Sequence, residues 1–169
     1  MLIGLMADSH DRVPAIRELL ERMTERGVGM VVHAGDYCSP FSLAPFHELN
    51  VAMAGVFGHN DGDREGLKAY AAKGMTELYE SPHSILVGDH RLLLVHDPAE
   101  VAERSLEAHE IIVHGFTHRQ ELKEIDGGAI IINPGEACGW LYGTPTAAIL
   151  DLDTKQVEFI SLTEPAWKV

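Results

Sequence analysis

Apolar runs in the first third of the chain end in polar clusters, and helical stripes follow two of them. The first run, residues 2–7, is followed by residues 13–23, where apolar side chains recur at three- and four-residue spacing. Two further apolar runs occur at 30–34 and 51–57, with a second helical stripe near 64–72. Such alternation predicts strands and helices in turn, with strands that pair in parallel through right-handed crossovers.

The polar clusters that end these three runs lie at residues 8–11, 35–39 and 58–61. In a parallel sheet the carboxyl ends of the strands share one edge, and ligands bind there. We therefore expect the three clusters to meet in space, although tens of residues separate them in sequence.

The second half predicts shorter strands joined by tight turns. Residues 85–87 and 92–95 flank Gly88-Asp89-His90-Arg91 and predict a hairpin. Further short strands are expected at 111–113, 121–125, 129–132, 146–152 and 157–162. This half predicts a second, mostly antiparallel sheet packed on the first, with helices outside. Without a linker or repeat, residues 1–169 are expected to form a single domain.

Composition narrows the class of protein. The 169 residues are 46% hydrophobic and 23% charged, which is typical of a globular domain. A net charge of -13 disfavours an extended nucleic-acid-binding face. Cys38 and Cys138 have no C-x-x-C spacing and are expected to be reduced thiols. With no signal peptide and no apolar run near the ~20 residues of a membrane span, we expect a cytoplasmic protein that does not bind membranes.

The polar strand ends form an ordered series of motifs. They are Asp8-x-His10, Gly35-Asp36, Gly58-His59-Asn60-Asp61, His96-Asp97 and Gly115-Phe116-Thr117-His118. A buried carboxylate costs several kcal/mol unless it is paired, and no Lys or Arg is adjacent to Asp8 or Asp36 in sequence. A divalent cation would compensate such carboxylates.

The order and spacing of these motifs resemble the calcineurin-like metallophosphoesterases, and most closely their small single-domain phosphodiesterase branch. The resemblance implies an α/β fold, a four-layer α/β/β/α sandwich of two mixed β-sheets flanked by helices. It also implies a metal site at the carboxyl ends of the strands, where two divalent ions support phosphate-ester hydrolysis. The function expected is that of a phosphodiesterase acting on a small phosphate ester.

Carried over by position, the resemblance makes Asp8, His10 and His118 ligands of a first metal and Asp36 the bridge to a second. His96 matches a ligand of the second metal. His59 stands where the family has an Asn ligand, and Phe116 stands where it has a His. We therefore expect a weaker second site, in which His59 supplies the missing nitrogen or acts as a proton donor instead.

A dinuclear centre of this kind would activate water and clamp the phosphate oxygens. Nitrogen and oxygen donors together favour a transition metal, with manganese first and iron, nickel or zinc as alternatives. Asn60 occupies the slot in which many relatives carry a proton-donating His, and an amide cannot act as an acid. Leaving groups that need no protonation should then be favoured, and Asp61 is expected to orient a ligand.

Two further residues are candidates for contact with the substrate. Asn133, in Asn133-Pro134-Gly135, resembles a loop that borders the site in this family, although an ordinary turn explains it almost as well. Arg119 follows His118 and either contacts phosphate or is simply solvated. The sequence leaves the oligomeric state open, a homo-oligomer included. The alternative function is a protein-interaction scaffold of the same fold with a degenerate second metal site.

Overall fold

The computed structural model describes residues 1–163. Its strands are β1 (Leu2–Met6), β2 (Met30–His33), β3 (Ala52–Val56), β4 (Thr76–Tyr79), β5 (His83–Val87), β6 (His90–Val95), β7 (Ile111–His114), β8 (Gln120–Glu124), β9 (Ile130–Pro134), β10 (Thr146–Asp151) and β11 (Val157–Ser161). Its α-helices are α1 (Val13–Glu25), α2 (Ala44–Glu48), α3 (Arg64–Ala71) and α4 (Glu103–Ala108). The strand–helix alternation predicted for the first third is confirmed.

The first sheet has six strands in the order β11-β10-β1-β2-β3-β4, and β1 to β4 are parallel. Met6 pairs with His33, and His33 pairs with Gly55. The residues that follow these three positions therefore emerge side by side at one edge, as the parallel pattern predicts.

The second sheet has five strands in the order β5-β6-β7-β9-β8. The hairpin of β5 and β6 is confirmed. The prediction of a mostly antiparallel sheet is wrong, because β6, β7 and β9 pair in parallel and only the outer strands β5 and β8 are antiparallel to their neighbours.

Strands β10 and β11 are also placed differently from the prediction, which assigned them to the second sheet. β10 pairs antiparallel with β1, and β11 pairs with β10, so both extend the first sheet. The register aligns Leu5 with Ala148. Apolar alternation shows that a segment is a strand, but it does not identify the strand beside it.

The two sheets pack face to face through a buried apolar layer. Its members include Leu5 and Val32 from the first sheet and Leu94 and Val113 from the second. Helices α1, α2 and α3 cover the other face of the first sheet, and Leu106 of α4 packs on the outer face of the second. The four-layer sandwich of two mixed sheets is confirmed.

Helix α1 shows how the sequence builds the outer layer. Ile16, Leu19, Leu20 and Met23 form one apolar stripe and are fully buried. A proline in the first turn suits a helix start, since that position needs no backbone donor. No helix within residues 1–163 is long and apolar enough to cross a membrane.

Candidate metal centre

Four of the predicted ligands meet where the strands end. Donor atoms of Asp8, His10, Asp36 and His118 all lie within 4.8 Å of one another. Ligands on opposite sides of one ion are about 4 Å apart when each bond is about 2.0–2.2 Å. These four side chains are therefore close enough to share a metal, which bears out the expected meeting of remote strand ends.

The backbone of this region adopts a conformation that side chains rarely tolerate. Seven non-glycine residues of these loops have positive φ: Asp8 at 51°, His10 at 40°, Asp11 at 54°, Asp36 at 62°, Cys38 at 75°, Phe116 at 67° and His118 at 60°. Such residues cost of order 1 kcal/mol each and cluster at functional sites. The strain is held by backbone bonds between loops, including Asp8 N to Gly35 O at 3.0 Å and His10 N to Asp36 O at 3.0 Å.

Asp8 is the most exceptional carboxylate of the site. It is fully buried, and neither of its oxygens has a hydrogen-bond partner among the described residues. Burial, followed by repulsion from Asp36, raises the pKa of Asp8 from 3.8 to about 8, although the backbone N–H of Phe116, which lies near the carboxylate without normal hydrogen-bond geometry, acts in the opposite direction. A cation at this position would reverse that penalty, so Asp8 fits the role of a metal ligand.

Asp36 is held between Asn60 and two histidines. Asn60 donates from its backbone N to Oδ1 at 2.8 Å and from Nδ2 to Oδ2 at 2.7 Å. Burial raises the pKa of Asp36, but these hydrogen bonds and the nearby histidines outweigh burial and lower it. His96 Nε2 lies 3.4 Å from Oδ1 and His10 Nε2 lies 3.5 Å from Oδ2. Each carboxylate oxygen therefore faces a different histidine, which suits a bridging ligand.

Three histidines are held through Nδ1. His118 Nδ1 bonds to Glu136 Oε2 at 2.8 Å, and His96 Nδ1 bonds to the Ala34 carbonyl at 2.8 Å. His10 Nδ1 contacts Cys38 Sγ at 3.3 Å. The Nε2 atoms of His10 and His96 are buried and face Asp36, but they make no hydrogen bond within residues 1–163. Anchored Nδ1 atoms and unpartnered Nε2 atoms fit metal-binding imidazoles.

His59 lies outside the four-residue group and forms an aromatic cluster instead. Its exposed ring meets His96 edge-on at 5.0 Å and Phe116 at 5.3 Å between ring centroids. Phe116, 46% exposed, also meets His96 at 5.8 Å. Asn60, the residue after His59, makes the hydrogen bonds to Asp36.

The carboxylate of Asp61 holds the backbone of two loops together rather than orienting the side chain of a metal ligand. Its carboxylate accepts from the backbone N of Asp36 at 3.1 Å, Cys38 at 2.8 Å and Gly58 at 2.6 Å. Gly58 lies against Asp36, and a Cβ at this position would overlap the Asp36 carboxylate. The close approach of the two loops therefore requires glycine here.

The two predicted substrate contacts occupy different environments. Asn133 is fully buried and donates from Nδ2 to Gly115 O at 3.0 Å and Thr117 Oγ1 at 2.9 Å. It braces the loop that carries His118. Arg119 is exposed and donates from Nε to Tyr142 Oη at 2.7 Å. Contact with substrate stays a prediction for both residues.

Sequence reasoning missed Glu136 and the surroundings of both cysteines. Glu136 is 1% exposed and accepts hydrogen bonds from His118 and from the backbone of the following loop. Cys138 forms a second group with His10 and His118, again within 4.8 Å. One signal was available: Glu136 follows the buried strand β9, like the other polar strand ends.

Comparison with known proteins agrees with this geometry. Residues 1–155 match the model of the calcineurin-like phosphoesterase superfamily domain. The chain belongs to the calcineurin-like phosphoesterase superfamily. Among its curated relatives is "Phosphodiesterase MJ0936" of Methanocaldococcus jannaschii, 34% identical over 167 residues, which are 96% of this chain and 99% of the relative. The family implies divalent metal ions, in line with the donor cluster of Asp8, His10, Asp36 and His118.

Solved structures share the calcineurin-like fold. An archaeal phosphodiesterase superposes with a TM-score of 0.87 at 33% identity, covering 96% of this chain and 100% of that one. The phosphoesterase YfcE of E. coli gives a TM-score of 0.69 at 18% identity, covering 95% and 98%. Vps29 of Entamoeba histolytica, complexed with Zn²⁺, gives 0.63 at 17% identity, covering 96% and 98%. At such identities the last two likenesses show the fold alone.

Proposed function

We propose that this protein is a metal-dependent phosphodiesterase that hydrolyses a small phosphate ester. The observation that carries the proposal is the carboxylate of Asp8, fully buried and without a hydrogen-bond partner in the described chain, next to the donor atoms of three further predicted ligands. A buried charge of this kind is costly unless a cation compensates it. The relative named as a phosphodiesterase supports the same chemistry.

In this proposal Asp8, His10 and His118 bind one divalent ion, and Asp36 is shared with a second ion that His96 also binds. The two different histidines that face the oxygens of Asp36 support the shared role. The second site is weaker, because Phe116 has no donor atom and His59 makes ring contacts with its neighbours.

Imidazole and carboxylate donors suit a first-row transition metal, and we place manganese first, with iron, nickel and zinc as alternatives. When bound, the ions supply Lewis acidity that activates water and stabilises charge on the phosphate oxygens. The protein's own contribution is to present ionised Asp36 and the Nε2 atoms of its histidines in fixed positions. Asn60 does this for Asp36 through two hydrogen bonds.

The leaving group is expected to be a good one. The amide of Asn60 is bonded to Asp36 and cannot protonate a departing alkoxide. An aryl oxide needs no such help, and its ring would meet the exposed ring of Phe116, which lies beside His96. The proposed preference is therefore for aryl phosphodiesters over alkyl ones.

The test is hydrolysis of bis(p-nitrophenyl) phosphate by protein stripped with EDTA and then reloaded with Mn²⁺. Activity should depend on the metal, and Asp36→Asn should lower kcat/KM by more than about 100-fold, since it alters a direct ligand. Asp89→Asn, in the exposed hairpin turn, is the control and should be unchanged. Equal rates on aryl and alkyl diesters would contradict the leaving-group preference.

The interaction scaffold is the second candidate, and Phe116 favours it because this residue removes a ligand that the family uses. The same assay separates the two functions. A protein that binds no metal and hydrolyses no diester or monoester with Mn, Fe, Ni or Zn would be the scaffold.

We further propose that residues 1–169 form one domain and act in the cytoplasm. The apolar layer shared by both sheets supports the first point. The unpaired thiols of Cys38 and Cys138 support the second, because disulfides are rare in the reducing cytosol.

A further inference from the structure

The carboxylate of Glu136 is shared between a predicted metal ligand and the loop 139–143. Oε2 accepts from His118 Nδ1 at 2.8 Å and from Leu141 N at 3.0 Å, and Oε1 accepts from Tyr142 N at 2.6 Å. We propose that Glu136 is a positioning residue that fixes which nitrogen His118 presents to the metal and couples the loop to that ring.

Hydrogen-bond chemistry determines which nitrogen of His118 carries the proton. An ionised carboxylate can only accept, so the proton of the neutral His118 ring must sit on Nδ1. Nε2 then carries the lone pair, and it lies 3.6 Å from Asp8 Oδ1, on the side where the predicted ligands converge. With the proton on Nε2 the ring could not bind a metal through that atom.

The anchor of His118 differs from those of its neighbours. His96 is held by a neutral carbonyl and His10 by a thiol. Within residues 1–163, His118 is the one predicted ligand whose Nδ1 is held by a carboxylate. A negative partner behind an imidazole increases its basicity as a ligand. Glu136 should therefore strengthen the metal bond as well as orient the ring.

The contacts of Glu136 with the loop 139–143 connect that loop to His118. The same carboxylate that holds His118 closes the turn that carries Trp140 and Tyr142, which are 59% and 53% exposed. Arg119, the residue after His118, donates to Tyr142 Oη at 2.7 Å. The loop 139–143 and the His118 ring are bonded to the same carboxylate, that of Glu136. A displacement of the loop therefore moves the group that holds His118, and metal binding at His118 restricts movement of the loop.

The inference rests on the proposed metal-dependent function, and its test uses Glu136→Gln. A glutamine has one acceptor oxygen and an NH₂ donor, so it cannot accept from His118 and both loop amides as the carboxylate does. We expect the Kd for Zn²⁺, measured by calorimetry, to rise about 10- to 100-fold. Glu121→Gln is the matched control, because Glu121 holds His114 at 3.0 Å outside the predicted ligand set, and it should leave the Kd unchanged.

Two further readouts separate positioning from general destabilisation. In metal-free wild-type protein, ¹⁵N NMR of the histidines should show the His118 proton on Nδ1. In Glu136→Gln, whose amide can present either its oxygen or its NH₂ group to His118, that preference should weaken. In a Trp167→Phe background, Zn²⁺ should shift the emission of Trp140 in the protein with Glu136 and not in Glu136→Gln.

Each outcome decides a separate statement. A wild-type His118 with its proton on Nε2 overturns the positioning role even if the variant fails to fold. An unchanged Zn²⁺ affinity in Glu136→Gln overturns it while leaving the proposed function intact. A Trp140 emission that Zn²⁺ does not shift, or shifts equally in both proteins, overturns the coupling to the loop. A wild-type protein that binds no metal refutes the proposed function itself.

Discussion

Replacement of Asp8 by Asn should stabilise the metal-free protein while it greatly reduces the stabilisation by metal. Burial and the neighbouring charge of Asp36 raise the pKa of Asp8 from 3.8 to about 8. The folded state therefore holds a proton that the unfolded state releases, and stability falls as the pH rises from 3.8 towards 8. Asparagine keeps the shape of the side chain and removes this dependence.

The size of this change in stability follows from the pH range over which the folded protein holds the extra proton. Each pH unit costs about 1.4 kcal/mol, so at pH 7 the carboxylate costs the metal-free protein about 4 kcal/mol. For a domain of this size, such a change corresponds to roughly 10 °C in Tm. His33 titrates in the opposite sense, because burial lowers its pKa to about 3 and stability falls as the pH drops below 6.5. The comparison must therefore be made between proteins at one pH.

The assay is urea unfolding in EDTA at pH 5 and pH 7, with Asp89→Asn as the exposed control. Asp8→Asn should be the more stable protein at both pH values, and by a larger margin at pH 7. Mn²⁺ should then stabilise the wild type strongly and the variant much less, because Asp8→Asn leaves only the weaker site of Asp36 and His96 intact. If Asp8→Asn is no more stable than the wild type at pH 7 in EDTA, the buried-charge reasoning is refuted.

Three substitutions near Asp36 test the second metal site, the pKa of Asp36 and the close packing of Gly58. Phe116→His should add a nitrogen donor beside His96 and raise the affinity of the second metal at least about tenfold by calorimetry; an unchanged isotherm would count against that site. Asn60→Ala removes the Nδ2 bond that lowers the pKa of Asp36, so the acidic limb of the pH–rate profile should move to higher pH. An unmoved limb would show that Asn60 does not tune Asp36. Gly58→Ala should lower Tm and activity together because its Cβ overlaps Asp36, and an unchanged Tm would mean that the loops separate freely.

The sequence was sufficient to predict that residues at the ends of the parallel strands meet at the site. Asp8 and Asp36 follow buried apolar runs, and the geometry of a parallel sheet brings such positions to one edge. The positions of β10 and β11 were not predictable in this way, since their alternation specifies a strand without specifying its neighbour. For the same reason the pattern alone predicted a mostly antiparallel second sheet, whereas the family resemblance implied the two mixed sheets that the structure has.

Glu136 was missed because its partners are distant or belong to the backbone. It contacts a ring 18 residues away and two amides of the loop it precedes. The positive φ values of Asp8 and His118 are equally invisible in sequence, because no glycine marks them. In each case contacts between loops, rather than local preference, determine the conformation.

Anomalous diffraction from crystals grown with Mn²⁺ tests the central claim most directly. We expect a strong peak about 2.0–2.3 Å from the nearest donor atoms of Asp8, His10, Asp36 and His118, with a weaker peak between Asp36 and His96. An Mn²⁺ peak elsewhere, with the carboxylate of Asp8 still unpartnered, would contradict that claim.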